Sequence, residues 1–279
     1  MEGDDFKVLF STQKSGIVSY VYNGVELMKS IPVPNFWRAP VDNDNGNLMQ
    51  LRYAQWKIAS LYVTNKSKAR FEDVVPKLDV TDSCATLVYK LYMPTTPASS
   101  CQVTYKVFGD GTIETTLTYD PVEGLCDMPE FGMLFKLDAD YDHLTWYGLG
   151  KDETYADRKR GGKMGVYSNL VADNLAQYLV PQECGNKCDV RNATVTDGRG
   201  RGLKFFGEDL SFNALPYTPH ELENAMHAYE LPQVHYTVVR VAKQQMGVAG
   251  DDSWGALVHP EYLLDVSKKV EFKFCFKGI

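Results

Sequence analysis

Cleaving a glycosidic bond takes paired carboxyl groups and a surface for a sugar ring, and this sequence offers candidates for both. Asp251 and Asp252 are neighbours, Asp42 and Asp44 stand two apart with Arg38 close by, and Trp37 and Trp254 lie beside these acidic stretches. A retaining glycosidase needs carboxyls about 5–5.5 Å apart and an inverting one about 6.5–9.5 Å. Neighbours on a strand point to opposite faces. Asp251 and Asp252, in a Gly-rich turn, therefore suit backbone capping or pairing with an arginine better than catalysis. Loop scaffolding is also the preferred role for Asp42 and Asp44, because Asp readily bonds its own turn backbone. Each Trp can cover the apolar face of a pyranose while Asp, Asn and Arg bond its hydroxyls. Closing a corner of the core is the commoner use of such a ring.

Other chemistries find little support. The histidines His143, His220, His227, His235 and His259 are scattered, and no nucleophile-elbow, zinc-protease, dinucleotide or phosphate-loop pattern occurs. Gly148-Leu149-Gly150 is too short for a dinucleotide loop. The 6 cysteines are too sparse for a disulfide scaffold, and Cys184 and Cys188 have no second Cys/His pair at zinc spacing. Buried or half-buried thiols and no metal site are expected. With 29 Lys plus Arg against 36 Asp plus Glu, the net charge of −7 argues against nucleic acid as a partner. No apolar run reaches membrane-span length. The opening residues Met1 to Phe6 lack the basic and apolar regions of a signal peptide. A cytoplasmic location is expected from the chain as given, or a periplasmic one if a longer parent carries a leader.

The elements that must position these residues are strands. Val270, Phe272, Phe274 and Phe276 alternate with polar residues or Cys275; Val234–Val241 and Ala85–Met93 are further β-branched and aromatic runs. Asn23-Gly24 and Asp110-Gly111 predict tight hairpins between Ile17–Tyr22 and Val25–Met28 and between Val103–Phe108 and Thr112–Tyr119. Only Leu48–Ile58 and His220–His227 read as short helices. A (β/α)₈ barrel fits the 279 residues but needs eight helices. The expected class is all-β, a sandwich or larger multi-sheet domain running from residue 1 to 279 without a linker or repeat.

Four segments stand outside the strand pattern. They are Pro34–Gly46, Trp146–Lys159, Pro181–Arg191 and Met246–Gly255, the last followed by Val258–Tyr262. Asn-Phe-Trp-Arg-Ala-Pro-x-Asp-Asn-Asp at 35–44 resembles the opening signature of the β-galactosidase small chain, the C-terminal domain of family 2 glycoside hydrolases. Trp-Tyr-Gly-x-Gly…Glu-x-Tyr-x-Asp-Arg at 146–158 is similar to its second signature. Pro-Gln-Glu…Gly-Asn-x-x-Asp-Val-Arg at 181–191 matches the third, and Met-Gly-Val-x-Gly-Asp-Asp-Ser-Trp-Gly at 246–255 the fourth. Departures are Ala249 where Gly is common, Ala156 where Pro is common, Lys151-Asp152 for Pro-His or Pro-Gln, and Cys184 for Asn or Ser.

The resemblance implies a large antiparallel β-supersandwich of the galactose mutarotase-like type. It implies a parent retaining β-galactosidase acting on terminal β-D-galactosides such as lactose, with its two catalytic Glu residues on a barrel absent from this chain. Catalytic residues are accordingly expected to be none here, and the chain alone to be inactive. The implied partners are an upstream barrel domain or large subunit and a β-galactoside, in an oligomeric whole. No cofactor is expected in this chain; Mg and Na belong to the parent's catalytic domain. Trp254 is expected in the substrate platform, its loop held by Asp251, Asp252 and Ser253. Trp37, Arg38, Asp42 and Asn43 are expected to be scaffold around the same end. The competing expectations are a free-standing carbohydrate-binding or mutarotase-like module and a purely structural interaction domain. A mutarotase-type His and Glu pair is not matched by His259 and Glu261.

Overall fold

The computed structural model describes residues 1–65, 75–252 and 254–279. A small antiparallel sheet comes first: β1 (Phe6–Ser11), β2 (Gly16–Tyr22) and β3 (Val25–Glu26). Asn23 and Gly24 make its turn with φ of 47° and 77°, the positive values a two-residue hairpin requires. β4 (Val33–Asn35) leads into three short helices, α1 (Asp42–Gly46), α2 (Met49–Arg52) and α3 (Ala54–Tyr62). Eight strands follow: β5 (Lys77–Val80), β6 (Cys84–Met93), β7 (Ser99–Phe108), β8 (Ile113–Tyr119), β9 (Glu130–Asp138), β10 (His143–Gly150), β11 (Lys163–Leu170) and β12 (Lys187–Thr196). The chain ends with β13 (Gly202–Leu215), α4 (Pro219–Asn224), β14 (Tyr236–Gln245) and β15 (Val270–Gly278). Strands β4 to β15 form a 12-stranded antiparallel system, so the expected all-β supersandwich is what forms.

β13 makes this a layered structure. One of its edges runs along β12. Along the other edge, Leu203–Phe206 pair with β15 and Ser211–Leu215 pair with β14. The change of partner falls at Asp209, a non-glycine residue with φ 48°. Beyond it the sheet divides. One branch runs β15-β8-β7-β6-β5, and the other runs β14-β9-β4. The aromatic core joins the branches: the Phe135 ring on β9 lies 5.2 Å from both Phe205 on β13 and Phe276 on β15.

Several expectations are corrected. Leu48–Ile58 is two helices that reach Tyr62, and the second predicted helix is α4, opened by Pro219 and capped reciprocally by Thr218 and Glu221. The segment 34–46 contains α1 and the end of β4. The segments at 146 and 181 each overlap a strand, β10 or β12. Gly148 looks like a loop signal but lies within β10, where a Cβ would come within 2.7 Å of the Val190 side chain on the neighbouring strand region. Among the described helices none is long and apolar enough to cross a membrane.

The second half of β13 and most of β14 are buried on both faces. One face carries Phe212, Val239 and Val241 into the aromatic core. The other carries Ser211, Asn213 and Arg240, and the four signature segments cover it. Truncating Phe135→Ala removes the ring shared by both branches and should lower unfolding free energy by about 3–5 kcal/mol. Urea unfolding measures this; a loss below about 1 kcal/mol would mean that the branches do not depend on that contact.

Candidate functional site

On the covered face of β9, β13 and β14, Arg240 sits between two buried carboxylates. Its Nη1 donates to Glu130 Oε2 at 2.7 Å, and its Nη2 to Glu183 Oε2 at 2.7 Å. Asn35 Nδ2 donates to Glu130 Oε1 at 2.6 Å, while Asn213 and Gln245 donate to Glu183 Oε1 at 3.1 and 3.3 Å. All three charged groups are at most 3% exposed. Burial pushes the Glu130 carboxyl up, to about 7, against the pull of Arg240; the neighbouring Glu183 pushes it further.

This network ties the signature segments to the sheet and to one another. Arg38, fully buried, pairs with Asp44 at 2.9 Å and donates to Gly247 O at 2.9 Å. Asp44 also accepts from Val41 N at 3.0 Å, which caps α1. Gln182 accepts from Asp42 N at 3.1 Å, and Glu153 from Gly185 N at 2.7 Å. Asp157 Oδ2 accepts from Val248 N and Ala249 N at 2.8 and 2.9 Å. Every signature thus bonds at least one other.

The product of this scaffold is the loop carrying Trp254. Asn43 grips it twice, accepting from Gly255 N and donating to Ala256 O, each at 2.8 Å. Asp252 Oδ1 accepts from Trp254 N at 3.0 Å and Ala256 N at 2.9 Å; these two N–H groups hold its carboxyl below the usual range. Gly46 lies so close that a Cβ there would meet Trp254 O at 2.1 Å. The Trp254 ring itself is 76% exposed. Beside the loop is a cavity of about 220 Å³ lined by Asp42, Asn43, Tyr178, Ala249 and Asp252 among others.

The predicted residues separate into distinct roles. Trp254 is a presented ring. Asp252 and Asn43 hydrogen-bond the backbone of its loop. Among the described residues Asp251 bonds no loop backbone group; its Oδ1 accepts from His259 Nε2 at 2.8 Å, and that bond raises the histidine pKa. Ser253 lies outside the described residues. Trp37 is fully buried and donates to Glu223 of α4 at 2.9 Å, so it closes a core corner. Arg38 is internal scaffold, and the Asp42 side chain is exposed at the rim. Asp42 and Asp44 therefore do not act as a pair, since Asp44 is committed to Arg38. Ala249 does not adopt positive φ, so Ala in place of Gly introduces no backbone strain there.

Sequence reading missed Glu130, Arg240, Asn213 and Gln245. The available signal was a charge inside an apolar strand: Arg240 follows Val238-Val239, and Glu130 precedes Phe131-Gly132-Met133-Leu134-Phe135. Such charges are seldom fully buried unless paired. Among the described residues, no group of three or more His, Cys, Asp or Glu could hold a metal ion. The arrangement can present an aromatic face and hydrogen-bonding groups to a ligand. Its described acids near Trp254 are engaged in holding structure, apart from Asp42.

Two measurements follow from this geometry. Glu130 keeps a proton in the folded chain at pH values where the unfolded chain, with its ordinary value of 4.5, has lost it. Its contribution is therefore full below about pH 4.5 and is lost as pH rises through about 7. Between about pH 5 and pH 8 the wild type should lose about 2–3 kcal/mol relative to Glu130→Gln. Paired denaturant titrations read the difference, and parallel pH profiles would refute it. Of the 4 tryptophans, Trp37, Trp56 and Trp146 are buried. Acrylamide quenching should therefore report Trp254, vanish largely in Trp254→Phe and rise in Asn43→Ala as the grip on the loop is lost. Quenching unchanged by Trp254→Phe would mean another ring is accessible.

Known proteins resemble the chain at three levels. It shares 41% identity with the β-galactosidase of Halalkalibacterium halodurans over 98% of its length, but spans only 27% of that protein. It shares 33% identity with the β-galactosidase small subunit of Latilactobacillus sakei, covering 98% of this chain and 93% of that one. The solved structure of a galactose mutarotase related enzyme from Lactobacillus acidophilus superposes with a TM-score of 0.50 at 12% identity, over 100% of this chain and 96% of that one, a likeness of fold. The family model described as the β-galactosidase small chain matches residues 2–276, and this chain belongs to that family.

Proposed function

We propose that this chain is the small-chain portion of a retaining family 2 β-galactosidase and completes the mouth of an active site whose two catalytic carboxylates lie on a barrel outside it. In this reading the substrates are terminal β-D-galactosides such as lactose, and Trp254 stacks on the incoming sugar. The observation that carries it is the Trp254 ring, 76% exposed on a loop that Asn43 and Asp252 both hold. A large aromatic face in water is unfavourable. The hydrogen bonds that fix this one's loop argue for a ligand or partner that covers it. Tyr178, on the wall of the adjacent cavity, adds a second aromatic group.

The chain binds and positions in this reading and does not cleave. Asp44 is consumed by Arg38, Asp252 by backbone N–H groups and Asp251 by His259. A two-carboxylate mechanism has no free pair beside Trp254 among the described residues. The small-subunit name of the Latilactobacillus sakei relative supports association with a large chain or an upstream barrel. That assembly would be an oligomer, and the Mg and Na ions of the resemblance would bind on the barrel side. The chain acts in it as one domain, since a single hydrophobic core cluster includes residues from Phe6 to Phe276.

The test is hydrolysis of a chromogenic β-galactoside by this chain alone and after mixing with the upstream part of the enzyme. The expected result is no activity alone and activity on mixing. In the assembled enzyme Trp254→Ala should raise KM roughly 5- to 150-fold, the equivalent of about 1–3 kcal/mol of stacking. Because the contact serves ground and transition states alike, kcat should change little. Hydrolysis by the chain alone would overturn the assignment of the chemistry to a barrel. Unchanged kinetics in Trp254→Ala would favour a purely structural domain.

A further inference from the structure

The loop that presents Trp254 leaves β14 after Gln245 and returns at His259-Pro260. Its base is closed where Gly247 N donates to Tyr262 O at 3.0 Å. Tyr262 N in turn donates to His259 O at 2.9 Å, so His259 stands on an anchored turn. Asp157 holds the ascending side of the loop at Val248 and Ala249, and Asn43 holds the descending side at Gly255 and Ala256. Between them, the bonds of Asp252 to Trp254 N and Ala256 N close the tip on itself. Among the described residues, this leaves residues 250–252 with one hydrogen bond to chain outside the tip. It runs from His259 Nε2 to Asp251 Oδ1 at 2.8 Å.

That tie depends on a titratable ring set between two carboxylates. On its other side, His259 Nδ1 lies 3.8 Å from Glu261 Oε1. Asp251 from the loop and Glu261 from the anchored turn are the charged groups that act on the ring among the described residues, and both are negative. They favour the imidazolium and raise the histidine above its ordinary value. The side chain is 43% exposed, so it exchanges its proton with water. Protonated, it makes a charge-assisted bond to Asp251. Neutral, it offers at most an ordinary hydrogen bond. The ion pair is therefore complete below about pH 6.5 and is lost as pH rises through the raised value. Such an exposed pair adds little to the stability of a whole domain. Here it acts on one side of one loop, where a small bias decides how tightly that side is held.

We propose that His259 is a proton-dependent positioning residue for Trp254: as imidazolium it holds Asp251 and with it the ascending side of the loop, and as neutral imidazole it lets that side loosen. The inference takes from the proposed function only that Trp254 is the presented ring. Its measurement needs neither sugar nor barrel, so its failure would leave that reading standing. The test is 19F NMR of the chain labelled with 5-fluorotryptophan, the Trp254 signal being the one absent from Trp254→Phe. Between about pH 6 and about pH 9 the transverse relaxation of that signal should slow, with the midpoint shown by the His259 ring protons. The loosened fraction of the loop should grow about 1.5- to 5-fold. His259→Gln keeps a donor but does not titrate, and should make the relaxation independent of pH. Asp251→Asn should leave the ring loose at every pH and lower the His259 midpoint. Both side chains are exposed, so the variants should fold, which unchanged thermal unfolding checks. Relaxation that is flat with pH in the wild type, a transition that survives in His259→Gln, or an unaltered ring in Asp251→Asn would each overturn the proposal.

Discussion

The paired burial of Arg240 with Glu130 and Glu183 is the constraint on which the functional end of the molecule depends. Removing Arg240 and two carboxyl groups from water is expensive, and their attraction repays it only with good geometry and satisfied neighbours. That requirement recruits Asn35, Asn213 and Gln245 to the same centre. Each brings a different stretch of backbone with it. An apolar replacement could pack as stably, but it would impose no direction on the loops above it. The value of the network is positional: it converts a sheet face into a template that accepts one arrangement of four loops.

The four conspicuous sequence segments become intelligible as parts of that arrangement. Their Asp, Asn and Gln residues reach the backbone of another segment, as Asp157 reaches residues 248 and 249 and Asn43 reaches residues 255 and 256. This explains how one exposed aromatic ring is carried on an irregular loop, held against α1 by Asn43 and Gly46. The same logic separates Trp37 from Trp254. Both adjoin Asp- and Asn-rich sequence, but only Trp254 projects past its hydrogen-bonding partners into water.

Much of the fold was legible because it rests on short-range rules. Period-two alternation at 270–276 and the Asn-Gly and Asp-Gly turns each specify structure within a few residues. Boundaries failed where long-range packing intervenes, as at Gly148, whose missing side chain admits Val190 from the adjacent strand. The division of labour among Asp42, Asp44, Asp251 and Asp252 was also hidden. The side-chain partners of Asp44, Asp251 and Asp252, Arg38 excepted, are main-chain groups or a histidine reached only after folding. The Arg240 network was least accessible, because Glu130 and Arg240 are 110 residues apart. Only the oddity of a charge in an apolar run marks either one.

The position of β15 has a consequence for how such a molecule is made. The strand formed by Val270–Gly278 is inserted between β13 and β8, at the centre of the larger system. During synthesis, β8 and β13 must wait with open edges until it emerges. Until then the nascent chain would present unpaired, aromatic-rich β-structure, a state prone to edge-to-edge association. β15, with three phenylalanines, acts as a closing wedge, so the two sides of the sheet join only once Val270–Gly278 can dock between them.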